Sequence, residues 1–565
     1  MPGVSHNGWS AIPAWIGPDE RPRMTWWSLP SSPSNGVGVV IVPPVGYEAW
    51  SAHRTLRTVA EGLAARGCTV VRYDPDATGD SAGESWDAGR MPAWKSDVGL
   101  AADALRHQGA ASIVLLGLRA GASLALDQAH AVEASAVVAW APINSGRRLA
   151  RQLRLLSTSV PDGAPVPHGD RAVVLAGSVF TEETLDELAA LDLFELTAAP
   201  ASKILVIERD DQQHDGALVA HLTSLGATVD RHSADDIGTA IDRPTEYAEV
   251  PEASVALVCD WVAGVVPTID GQHSAVPPRS PTGLGPPART QARMHWGDTL
   301  VDEEVLAIGR NNLVGVLTRP QRSPRATVLW LNSGSEHHVG PGRAWVEYGR
   351  TLAASGFASV RIDLSGWGES PDHGHAPGRP YDPHCVSETI QAGEALAESN
   401  LGPIVVAGLC AGAWVALRAA LDHPFAGVVA FNPQLYWQPG DPIEANIATE
   451  TRPRRHSEIA RIERLRHWGV WSALDAVGIR HPAARWLRAL ERTGTPTLMA
   501  FAEDDDGLQF IESRLARSWS AVRRSGNIDL AVVDGIDHSM HRHWLRPRMI
   551  DAVTSWLTTT FPADR

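Results

Sequence analysis

Two stretches far apart in the chain share one frame. IVLLGLRAGASLAL occupies residues 113–126 and VVAGLCAGAWVAL residues 405–417. Each passes from β-formers into helix formers through G-L-x-A-G, the signature of a tight strand-to-helix turn. Arg119 stands at the variable position of the first copy and Cys410 at that of the second. The flanking segments repeat as well. GVGVVIVPP, RTLRTVAEGLAARG, CTVVRYD and PDATGDSAGE are answered, in the same order, by ATVLWLNSG, RAWVEYGRTLAASG, FASVRID and LSGWGESPD. An offset of 289 residues separates Asp74 from Asp363 and Gly79 from Gly368, and 291 separates Arg119 from Cys410. So small a drift means that a whole domain is written twice. Strand–helix alternation predicts, in each copy, an α/β fold with a mostly parallel sheet and helices on both faces. Sites in such sheets form at the carboxyl ends of the strands, where both frames fall.

The length of 565 residues allows roughly two to four domains. Residues 266–292, VPTIDGQHSAVPPRSPTGLGPPARTQA, are rich in Pro, Gly and Ser and lack periodicity. They predict a linker between a first domain, 1–265, and a second, 293–565. A net charge of −16 argues against nucleic acid as a partner. The four cysteines are scattered and form no CxxC pair, which points to a reducing compartment without a disulfide framework or a metal site. Nothing in the sequence calls for a cofactor. The first residues lack a basic segment followed by an apolar run, and apolar runs such as VGVVIV are far too short to span a membrane. A cytoplasmic protein is expected.

The second half carries the parts of a nucleophilic site. G-x-nucleophile-x-G resembles the nucleophile elbow of α/β-hydrolases, whose strained turn exposes the central side chain. The helix that follows favours a thiolate at Cys410 through its dipole. Such a nucleophile needs an acid and a base downstream, in that order. TPTLMAFAEDDDG (495–507) predicts a strand ending in Asp504, Asp505 and Asp506, of which Asp505 is preferred. IDLAVVDGIDHSM (528–540) predicts a strand followed by a loop with His538. A neutral His538 imidazole would take the thiol proton while the Asp holds its tautomer. His541 and His543 are expected on the surface, and His337 and His338 either at the pocket or in a solvated loop. The backbone N–H of Ala411, with one from NSGSEHH at Ser335 or Gly334, would form the oxyanion hole. Residues 434–492, rich in Trp, Arg and His, predict a helical cap over the site.

The first half has lost this chemistry. Arg119 stays protonated and cannot be a nucleophile. SKILVIERDD (202–211) still ends in Asp210 and Asp211, but no His follows in the loop after VDRHSA, and His232 falls within the strand. A pseudo-hydrolase domain is expected. Arg119 would either bind an anion at its helix N-terminus or pair internally with Asp210 or Asp211.

These motifs support a narrower resemblance. SGSEHHVGPGR, RIDLSGWGESP, VAGLCAGA, FAEDDDGL and GIDHSM make the second half similar to hydrolase 1 of the exosortase A system-associated α/β-hydrolases. YDPDATGDSAGESWDAGRMPAWKSDV, LLGLRAGASLAL and VIERDD make the first half resemble hydrolase 2 of that system. The resemblance implies that Cys410, Asp505 and His538 form a triad and that the Arg-centred elbow is a trait of the second family. One departure is Ala411, where an acidic residue commonly follows the Cys in hydrolase 1. The two families are typically separate chains, so their fusion implies a working pair. Acyl chemistry is implied too, in pathways that use acyl-activating enzymes and carrier proteins.

Taken together, the residues predict an acyltransferase or thioesterase working through an acyl-Cys410 intermediate. Its donor would be an acyl-thioester of coenzyme A or an acyl carrier protein, and its acceptor a small molecule or water. A carboxylesterase or lactone hydrolase with the same triad, and a non-catalytic scaffold, are the rival readings.

Overall fold

A computed structural model describes residues 4–6, 8–164, 166, 171–211, 216–265, 289–375, 379–437, 482–515, 519–520, 524 and 526–563. The predicted linker therefore lies outside the described residues over 266–288, and the predicted cap over 438–481. The chain divides into two compact units, Met1–Val305 and Leu306–Arg565.

The first unit holds β1 (Val4–His6), β2 (Trp9–Ile16), β3 (Arg23–Pro30), β4 (Val37–Val42), β5 (Thr69–Tyr73), β6 (Ser112–Leu118) and β7 (Ala136–Trp140). Then come β8 (Thr158–Ser159), β9 (Ala172–Leu175), β10 (Ser178–Thr181), β11 (Lys203–Arg209) and β12 (Thr228–Ala234). Nine of these form a sheet in the order β1-β2-β3-β5-β4-β6-β7-β11-β12, and β8 to β10 form a small sheet of their own. A hairpin of β13 (Gln291–Trp296) and β14 (Thr299–Ile308) follows.

The second unit adds β15 (Leu313–Arg319), β16 (Thr327–Trp330), β17 (Ala358–Ile362), β18 (Ile404–Leu409), β19 (Gly427–Phe431), β20 (Thr497–Ala502) and β21 (Ile528–Val533). Their order, β15-β17-β16-β18-β19-β20-β21, repeats β3-β5-β4-β6-β7-β11-β12 strand for strand. In both units the first strand of this series is antiparallel to its neighbour and the other six run parallel. The fold is that of α/β-hydrolases. The antiparallel strands were not legible as such, because a lone apolar run carries no sign of its direction.

The central strands β4, β7, β16, β18, β19 and β20 are buried at every position, and β6 at all but its first. Helices cover both faces, so these strands read as continuous apolar runs without alternation. β21, at an edge, is buried only at its two ends and mixes exposed and half-buried positions between them.

The repeat extends to hydrogen bonds in the turn after the second parallel strand. In the first unit the Ser81 hydroxyl donates to the Asp74 carbonyl (2.6 Å) and accepts from Met24 N–H (2.9 Å). In the second, Ser370 donates to the Asp363 carbonyl (2.6 Å) and accepts from Val314 N–H (2.8 Å). Among the described residues, no helix is long and apolar enough to cross a membrane.

Candidate active site

The elbow is built the same way in both units. Cys410 links β18 to helix Ala411–Asp422 with φ 56° and ψ −112°. Arg119 links β6 to helix Ala120–Gln128 with φ 57° and ψ −122°. A non-glycine residue adopts this left-handed backbone only where its surroundings hold it. Here the flanking glycines do so by letting backbones touch. A Cβ on Gly408 would lie 2.4 Å from the backbone of Gly412, and one on Gly412 would lie 2.5 Å from the Asn332 carbonyl oxygen. Of the four cysteines, Cys68, Cys259 and Cys385 are buried, and Cys410 alone is partly exposed.

Successive parallel strands deliver the partners at their carboxyl ends. After β20, the Asp505 carboxylate receives His538 Nδ1 at 2.5 Å with one oxygen and Gly507 N–H at 2.7 Å with the other. Asp505 is buried, whereas its neighbours Asp504 and Asp506 are exposed. After β21, His538 comes near enough to Cys410 for the two side chains to interact. Burial opposes the charge on this ring. The hydrogen bond to Asp505, with the interaction with Cys410, outweighs it and pushes the His538 pKa up to about 10.

Since the folded value lies above the ordinary 6.5, the protonated ring stabilises the fold fully below pH 6.5 and loses that effect as pH rises through about 10. The Tm difference between the parent and His538→Gln is expected to be largest below pH 6.5 and to vanish above about 10. Thermal melts across that range check it, and a difference that grows with pH would contradict it.

Asn432, missed in the sequence, ties both partners together. It follows β19, is fully buried and has φ 44°. Its Oδ1 accepts from Ala502 N–H (2.8 Å) and its Nδ2 donates to the His538 carbonyl (2.7 Å). One side chain therefore spaces the acid strand from the base loop. The only local signal was an Asn directly after an apolar strand, which also reads as a simple turn residue.

Ala411 opens the elbow helix, and with Gly334 it lines a small cavity walled by Leu331, Leu364, Trp367 and Val415. Ser335 does not line it. His338 is no pocket residue. It is buried, and both its N–H and its Nδ1 meet the Asp363 carboxylate at 2.7 Å. Burial opposes the Asp363 charge, but His338 holds its carboxyl below the usual range. His337 is half-buried, with its ring edge-on to His338 at 5.3 Å. His543 is not on the surface either. It is buried, with Nε2 2.8 Å from Glu347 Oε1, because the chain turns inward before helix Arg546–Thr560. His541 is half-buried. The described ends of the predicted cap pack on the elbow helix: Trp414 donates to the Trp437 carbonyl (3.2 Å) and meets Trp486 edge-on.

At the first elbow, Arg119 pairs with Glu48 (Nε to Oε1, 3.0 Å), and neither Asp210 nor Asp211 is its partner. Glu48 lies after β4, in helix Tyr47–Ser51, and burial pushes its carboxyl up despite the guanidinium. Asp211 is held by Arg209, which also binds Asp242. The hydrogen bond from Arg209 keeps the Asp211 carboxyl below its usual range. The pairing is thus internal, one of the two outcomes expected for Arg119, but with Glu48 in place of Asp210 or Asp211, because the turn after β4 brings Glu48 to the elbow. His232 lies exposed on β12.

No curated protein matches the sequence. Among solved structures, TT1662 from Thermus thermophilus is similar at 20% identity, over 47% of this chain and 99% of that one, with a TM-score of 0.32. A dienelactone hydrolase from Anabaena variabilis ATCC 29413 shares 14% over 46% and 98%, with a TM-score of 0.30. Est1E from Butyrivibrio proteoclasticus, solved with ferulic acid, shares 15% over 44% and 98%, with a TM-score of 0.35. Residues 328–550, which hold the elbow, Asp505 and His538, match the model of the alpha/beta hydrolase family.

Proposed function

We propose that the second unit transfers acyl groups from thioesters through an acyl-Cys410 intermediate, to a small-molecule acceptor or to water. The observation that carries this reading is a thiol on a strained elbow, served by an imidazole that a buried carboxylate, Asp505, holds at 2.5 Å. The Cys410 sulfur attacks the thioester carbonyl, and the bond from that carbon to the donor sulfur breaks. His538 hands its proton to the departing thiolate. Having given up its proton, the ring is neutral. The neutral ring can then take a proton from an amine, a hydroxyl or water as that group attacks the acyl carbon. Cys410 leaves as thiolate beside the reprotonated ring, which restores the starting state. Thioester for thioester is an exchange of near-equal bonds, which favours a thiol nucleophile here.

On the same reading, residues 1–265 form a pseudo-hydrolase domain joined by a linker to the catalytic domain 293–565, as in a fusion of hydrolase 2-like and hydrolase 1-like proteins. The Glu48–Arg119 pair supports this, because it fills the elbow with an ion pair and leaves no nucleophile. The donor would be coenzyme A or an acyl carrier protein.

Intact-protein mass spectrometry after incubation with acyl-coenzyme A thioesters tests the reading. One acyl group is expected on the protein, mapped to Cys410 by peptide digestion. Turnover of oxygen esters, with no adduct from any thioester, would replace it with the esterase or lactonase alternative.

A further inference from the structure

Two loops of the candidate site meet on one buried side chain outside the triad. Arg546, 2% exposed, opens helix Arg546–Thr560. Its Nε donates to the Met540 carbonyl (2.8 Å) and its Nη2 to the Pro341 carbonyl (2.9 Å). Its Nη1 donates to the Gly342 carbonyl (2.7 Å) and to Glu347 Oε2 (3.0 Å). The guanidinium is thus ringed by three backbone carbonyls and a carboxylate, much as a metal ion would be. The second oxygen of Glu347 is held by His543.

Two of the carbonyls belong to left-handed residues, Met540 (φ 55°) and Gly342 (φ 55°). For Met540 this backbone must be held from outside. Arg546 grips its carbonyl, and the Tyr348 hydroxyl approaches its sulfur at 3.5 Å. Met540 is fully buried and lies two residues beyond His538. Its backbone direction therefore governs where the imidazole points. Pro341 and Gly342 close the loop that begins at Gly334.

We infer that Arg546 is a positioning residue: it locks the His538 loop to the 334–343 loop and so preorganises the Cys410–His538 pair. The inference rests on the proposed role of that pair. Lysine cannot substitute, because one ammonium cannot span acceptors on several sides as a planar fork does.

Arg546→Lys, made in the full chain, tests it with three readouts. The first is the rate of Cys410 alkylation by iodoacetamide against pH, which needs no acyl donor. The others are kcat and KM with an acyl-coenzyme A that acylates the parent, and Tm. Alkylation at neutral pH and kcat are expected to fall about tenfold or more, with KM little changed, because slight misplacement of a reacting group is costly. Tyr348→Phe removes the hydroxyl against Met540 but keeps the ring, and should shift both rates the same way by less. If Arg546→Lys does not fold, Tyr348→Phe decides the matter alone. A lower Tm with the parent's alkylation profile and kcat, in the folded variants, would reduce Arg546 to a structural role. If no thioester acylates the parent, the proposed function fails, yet the alkylation comparison still tests the clamp.

Discussion

A His538→Ala variant is expected to lose about 10³-fold in kcat, the range for removing a positioned general acid and base. The expectation follows from the place of this ring between the acid and the thiol. Asp505 fixes Nδ1 at 2.5 Å, and the ring interacts with Cys410. Without the ring, nothing at the elbow accepts the thiol proton or returns it to the leaving thiolate. Alkylation of Cys410 near neutral pH should slow as well, since the thiolate is the reacting form. Single-turnover acylation and iodoacetamide kinetics measure the two effects separately. A variant that keeps both rates within tenfold of the parent would remove His538 from the mechanism.

The second large effect concerns folding. Gly408→Ala would place a Cβ 2.4 Å from the Gly412 backbone, and Gly117→Ala one 2.2 Å from the Gly121 carbonyl oxygen. Backbone cannot swing aside as a long side chain can. Each substitution is therefore expected to destabilise its own unit by about 3 kcal/mol or more. The effect should be alike in both units, although Arg119 supports no acyl chemistry. Calorimetry of the full chain, resolving each unit's transition, makes the comparison. A Gly117→Ala protein that melts like the parent would show the first elbow to be loose, unlike the second.

The elbow was legible because everything it needs is local. A strand, a tight turn and a helix leave their mark within a dozen residues, and G-L-x-A-G recurs with its flanking motifs. The mostly parallel, helix-covered sheet was legible for the same reason, since apolar runs alternate with amphipathic helices. Directions of the antiparallel strands were not, nor was the small sheet of β8 to β10, whose short strands carry little pattern.

The site was legible in part. Cys410, Asp505 and His538 follow strands in the expected order, but choosing Asp505 over Asp504 and Asp506 needs the burial that only packing supplies. Asn432 and Arg546 escaped notice because their partners are far away in sequence: His538 lies 106 residues from Asn432, and Pro341 lies 205 from Arg546. Glu48 escaped for the same reason, 71 residues from Arg119.

By itself, then, the sequence determined the doubled α/β frame, the two elbows, and the presence of a thiol in one and a guanidinium in the other. Those follow from residue type and short-range spacing, which strand and helix periods enforce directly. Tertiary structure alone decided which carboxylate meets His538 and that Glu48 answers Arg119. Those outcomes depend on burial and on the convergence of strand ends, and neither is a property of any one segment.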